Sequence, residues 1–140
     1  MAIGEAEATA IIERHPQEIA QILEQFKGLM KIGEDGFLIV QAGDYYVQFM
    51  VLKGARNLIV DAVSNNYLPA KKQLGAEAGA ALVGFGFESP KIDADNFTMP
   101  YVLTGGDDNF SYLAVLALAV LYDVYHVSED APLSFELDSA

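Results

Sequence analysis

Eleven consecutive residues, Tyr112 to Tyr122, carry no charged side chain. Leu113, Val115, Leu116, Leu118, Val120, Leu121 and then Val124 leave a helix with almost no polar side before Asp123. Such a helix has to be covered all round, yet the run is far shorter than the roughly 20 residues that span a bilayer. It is therefore core or interface. Either a helix from about Phe110 to His126 is the centre of the fold, the preferred reading, or one of its sides is shared across a homodimer.

What can surround that helix is read from the rest of the chain. With 140 residues, 52% of them hydrophobic and 20% charged, the balance is that of one folded domain over residues 1–140. Residues 1–15 form an N-terminal extension and residues 128–140 a tail that adds a short strand at Leu133 to Leu137. The spacing predicts a short helix over Ala6 to Glu13, interrupted at His15 because a residue before proline is pushed out of the α region. A second helix starts at Pro16, with Ile19, Ile22, Leu23, Phe26 and Met30 on one face, and ends at Gly33 to Gly36.

Three short runs rich in β-branched and aromatic residues follow: Phe37 to Gln41, Tyr45 to Leu52 and Leu58 to Ser64. The turns Ala42-Gly43-Asp44 and Lys53 to Asn57 suit hairpins, whereas parallel neighbours need longer crossovers. An antiparallel meander is expected. Asn65-Asn66 and Pro69 close it before a helix from about Ala70 to Val83, in which Gly75, Ala76, Gly79 and Ala80 leave one side bare for close packing. A strand near Thr98 to Leu103 and the apolar helix complete an α+β fold, a meander with helices packed on it in the order ααβββαβα.

Catalytic equipment is thin. There is no cysteine, and the two histidines, His15 and His126, sit in no motif. Gly84-Phe85-Gly86-Phe87 lacks the third glycine and following helix of a dinucleotide loop. No catalytic residue, cofactor or metal is assigned. Asp93-Ala94-Asp95-Asn96 and Gly105-Gly106-Asp107-Asp108-Asn109 are read as turns, with Asp108 or Asn109 capping the last helix, because neither has the frame of a calcium loop.

The net charge is −12, and residues 92–140 hold nine acids with no base. That field repels phosphate backbones and anionic lipids, so neither nucleic acid nor membrane is an expected partner. Acids near the N-terminus, where a signal peptide needs bases, point to the cytoplasm.

The meander carries the functional hint. Tyr45, Val47, Phe49 and Val51 share one parity with the core, matched by Leu58, Val60 and Ala62 on the next strand. Tyr46, Gln48 and Met50 then share the other face with Ile59, Asp61 and Val63. A face that mixes Tyr, Met and Ile with a few polar groups suits a peptide, since such side chains adapt to varied apolar partners.

Several stretches occur in the order found in one family. Tyr46-Val47-Gln48-Phe49, Asp61 to Asn65 with Tyr67-Leu68, Leu82 with Gly86-Phe87 and Pro90, Asn96-Phe97, Leu121 to Val127 and Pro132 to Phe135 together resemble the TY-Chap domains. That family groups type III secretion chaperone-like and YbjN-like bacterial proteins. The chain departs from its pattern at Asp61, where Glu is usual, at Phe87, where Trp is usual, and at Tyr122, where a base is expected. The resemblance implies a type III secretion chaperone-like α+β fold, often homodimeric, that binds peptides.

The expected function is thus a non-catalytic, chaperone-like peptide- or protein-binding module. It would hold an extended segment on the meander face or edge through Tyr46, Gln48, Met50, Ile59 and Asp61. The alternative is an acidic antagonist, of the immunity or decoy type, that binds a basic partner.

Overall fold

The computed structural model describes residues 3–93, 95–104 and 108–140. Helices α1 (Glu5–Arg14) and α2 (Pro16–Ile32) meet at His15, whose φ of −131° and ψ of 51° place it outside the helical region, as the following proline requires. Strands β1 (Gly36–Ala42), β2 (Tyr45–Val51) and β3 (Asn57–Ala62) form the expected meander. β1 and β2 are joined by a two-residue turn in which Gly43 takes φ 62°, a value costly for residues with a Cβ. Helix α3 (Ala76–Gly84), strand β4 (Phe97–Val102), helix α4 (Asp108–Leu118), a π-helical segment (Ala119–Val124) and strand β5 (Ser134–Ser139) follow.

The five strands form one antiparallel sheet in the order β4-β3-β2-β1-β5. The tail therefore contributes a full edge strand, with Leu38 opposite Leu137 and Val40 opposite Phe135. Leu38, Val40, Val47, Phe49, Val51, Leu58, Val60 and Ala62 are each wholly buried and floor the core. Phe26 of α2 sits edge-on to Phe49 at 4.9 Å and against Phe110 at 5.1 Å, so α2 and α4 share this side of the sheet.

The apolar run is core. Every residue from Leu113 to Tyr122 is at most 6% exposed within the single chain. Full burial of a Leu or Val stabilises by roughly 1.5–3 kcal/mol, so this one element supplies a large share of the driving force. Its last turns widen into the π-helical segment, where the Tyr125 amide donates to the Val120 carbonyl at 2.9 Å.

Four expectations are corrected. Ala70 to Val83 is not one helix: a single 3-10 turn (Ala70–Lys72) is followed by extended backbone, with ψ 146° at Gln73 and 178° at Gly75. The cause is a side-chain clamp. Asn65 accepts from the Leu74 amide at 2.6 Å and donates to the Leu74 carbonyl at 3.1 Å, while Gln73 donates to the Asn65 and Leu68 carbonyls. These bonds satisfy backbone groups that a helix would otherwise pair.

The small residues of α3 do not serve close packing. A Cβ on Gly75 would meet nothing within 4 Å, and one on Gly79 would touch only the Phe97 ring at 3.8 Å. Nor does Val63 join the outer face: β3 ends at Ala62 and Val63 turns inward, wholly buried, its carbonyl accepting from the Tyr125 hydroxyl at 2.8 Å. Asn109 lies inside α4, where its side-chain oxygen accepts from the Thr104 amide and the Tyr101 hydroxyl. The position ahead of α4, where a cap would stand, falls outside the described residues.

Candidate functional site

The helices that touch the sheet lie on one side of it. α2 packs on β1 and β5, and Tyr125, just past the π-helical segment, stacks on Tyr45, which shares the core parity of β2. Among the described elements none packs on the opposite face. Period-two alternation places Tyr46, Gln48 and Met50 of β2 and Ile59 and Asp61 of β3 together there. Gln48 lies opposite Asp61 and Met50 opposite Ile59. All five predicted site residues are half-buried, but Tyr46, at the end of the strand, also packs against the core cluster, whereas Met50 and Ile59 do not.

The register also brings in residues that the sequence reading did not assign. Phe37 lies opposite Met50, and Ile39 opposite Gln48. A row therefore crosses the sheet from Pro100 through Ile59, Met50 and Phe37 to Asp138, with Thr98, Asp61, Gln48, Ile39 and Glu136 beside it. Phe37, Ile39, Met50 and Ile59 are absent from the core cluster and from the side chains packed on it. Extending the same two-residue parity into the Phe37 to Gln41 run would have found Phe37 and Ile39 in the sequence.

Polar groups frame this apolar strip. The Asn96 amide donates to the Tyr46 hydroxyl at 2.9 Å while its oxygen accepts from the Ser64 amide at 3.0 Å. Ser64 donates in turn to the Asp95 carbonyl at 2.7 Å, so the strand-end motif around Ser64 and the Asn96-Phe97 motif form one knot at the corner of the sheet. Asp95 accepts from the Lys91 and Ile92 amides, the work of a turn former. Burial holds the Asp61 carboxyl above its ordinary range, opposed by a hydrogen bond from Thr98 and reinforced by the nearby Asp95 charge.

The meander itself has no free edge, because β5 covers β1 and β4 covers β3. At β4, Glu88 exchanges both backbone bonds with Thr98, and Pro100 has no N–H to offer. Concavities lie on the helical side. One of about 670 Å³ runs between α2 and α4 past Leu23, Phe26, Met30 and Phe110. Another, of about 600 Å³, opens beside Tyr45, Glu77, Asp123 and His126.

The two histidines are far apart in role. His15 is 4% exposed and stacks on Tyr122 at 4.2 Å, which gives the departure at Tyr122 a structural use. Its Nε2 lies 3.0 Å from a Glu129 carboxylate oxygen without forming a hydrogen bond. His126 is exposed at φ 56°. Among the described residues no group of three or more His, Asp or Glu is placed to hold a metal ion.

No helix of the described chain is long and apolar enough to cross a membrane. No curated protein and no solved structure matches the chain. One family model does, over residues 14–139, and its description is T3SS (YopN, CesT) and YbjN peptide-binding chaperone 3. It lends nothing to the acidic-antagonist reading, and it runs from the end of α1 through β5, taking in the whole sheet. This chain thus belongs to the TY-Chap3 family of peptide-binding chaperones.

Proposed function

We propose that the protein holds an extended peptide segment on the outer face of its sheet, without catalysis and in the cytoplasm. The observation that carries this reading is the one-sided placement of the helices. It leaves Phe37, Ile39, Met50 and Ile59 only partly buried, on a surface that a purely structural two-layer fold would make polar. Apolar contacts with these four would supply most of the affinity, and Tyr46, Gln48 and Asp61 would take hydrogen bonds from the bound backbone or its side chains.

The test is an array of unstructured peptides probed with the wild-type protein and with Met50→Asp and Phe37→Asp. Both positions are partly buried but outside the core cluster, so circular dichroism should report an intact fold. Binding should weaken at least tenfold in each variant, since a carboxylate placed against an apolar contact must be desolvated. Wild-type affinity in both folded variants would sink the assignment of this face.

A further inference from the structure

We propose that the free edge of β5 receives a client segment, paired antiparallel, in which basic and apolar residues alternate. The proposal rests on the peptide-holding reading above and names the chemistry of the segment.

The edge is open by construction. Among the described residues β5 has a neighbour on one side only, whereas the β4 edge is taken up by Glu88 and by Pro100. The two-residue hairpin makes Ala42 and Tyr45 a bonded pair, and bonded pairs recur every second residue. Leu38 and Val40 therefore bond to β2, while Phe37, Ile39 and Gln41 bond to Asp138, Glu136 and Ser134. The backbone groups of Phe135 and Leu137 are left pointing away from the sheet. Such a row pairs readily with another chain.

The side chains along that edge alternate in kind. Phe135 and Leu137 lean to the helical side, half-buried against the core, and Glu136 and Asp138 lie on the outer face. None of the five strands contains Lys or Arg, and their three acids, Asp61, Glu136 and Asp138, all share the outer face. A segment laid along β5 thus meets apolar and anionic neighbours in turn. Apolar residues fit opposite Phe135 and Leu137, and basic ones opposite Glu136 and Asp138, because directly opposite unlike charges stabilise a ladder and like charges destabilise it.

A second copy of this chain is repelled in one of the two registers open to it. The antiparallel register centred on Leu137 sets each Glu136 opposite the other copy's Asp138, so two acid pairs would face each other. A cationic segment meets attraction at the same positions.

The probe is a labelled nine-residue peptide alternating Val and Lys, read by fluorescence anisotropy against the whole protein. Its controls replace Lys with Glu, gather the same residues into blocks, or carry N-methyl groups on the Val or on the Lys positions. The alternating peptide should bind at least tenfold more tightly than the Glu and block versions. N-methylation should abolish binding at the Val positions, whose N–H groups face β5, and spare it at the Lys positions. The double variant Glu136→Lys/Asp138→Lys should exchange the preference between Lys and Glu peptides. Equal affinity of the two N-methylated peptides, or an unchanged preference in the double variant, overturns the proposal. If array peptides are still lost with Met50→Asp in that event, face binding stands and only the edge assignment falls. Edge signatures that persist while Met50→Asp has no effect mean the reverse.

Discussion

Gly28 sits in the middle of α2, where glycine is a poor helix former, and an alanine there should gain about 0.8–1 kcal/mol from backbone propensity alone. The structure opposes that gain. A Cβ on Gly28 would fall 2.6 Å from Cδ2 of Leu137, with Leu137 Cγ next at 3.9 Å and no other atom within 4 Å beyond the immediate chain. The obstacle is thus one methyl of one flexible side chain on an edge strand. Displacing Leu137 from its rotamer costs about 0.5–1.5 kcal/mol. Gly28→Ala should therefore be neutral to slightly destabilising in the wild-type chain. With Leu137→Ala already present the obstructing atoms are gone, and the same change should stabilise by about 1 kcal/mol. A double-mutant cycle by urea unfolding reads the difference as a coupling of about 1 kcal/mol, a midpoint shift of roughly 0.5 M. Equal effects of Gly28→Ala in both backgrounds, within about 0.5 kcal/mol, would refute the seating of β5 on α2.

Tyr125→Phe removes the buried bond to the Val63 carbonyl and should cost about 1–3 kcal/mol at neutral pH. Burial, with Tyr46 and Tyr45 nearby, raises the Tyr125 phenol well above its ordinary 10.0, so the folded chain holds this proton more tightly than the unfolded one. Its contribution is complete below about pH 10 and falls as pH rises beyond it, so thermal melts of wild type and variant should converge there. For Asp61 the folded carboxyl likewise titrates above its unfolded value of 3.8, and its ionised form opposes folding at neutral pH. Asp61→Asn should accordingly melt higher than wild type at pH 7, with the gain vanishing below pH 3.8; a gain independent of pH would exclude burial of the charge as the cause. Asn65→Ala leaves the Leu74 amide and carbonyl without their clamp, and hydrogen exchange at Leu74 should speed up while amides in β2 keep wild-type protection.

Periodicity was enough to read the meander, the start of α2 at Pro16 and the need to surround Tyr112 to Tyr122, because these depend on local backbone chemistry and on the sign of side-chain hydropathy. The same parity set Tyr46, Gln48, Met50, Ile59 and Asp61 on one face. It failed where a distant side chain overrode local preference. Asn65 and Gln73 broke the expected helix at Gln73 to Gly75, and the Tyr125 hydroxyl drew Val63 inward from the end of β3.

The amino-acid sequence by itself determined which residues are apolar, where the chain must turn and that no thiol chemistry is available, since each follows from composition and short-range spacing. Only the tertiary structure decided that the apolar helix is covered within one chain, that the helices leave one sheet face open and that the tail becomes the open edge strand β5. Those outcomes depend on contacts between segments far apart in the chain, such as Phe26 with Phe110 and Val40 with Phe135, and no local pattern encodes which distant surface a buried face will meet.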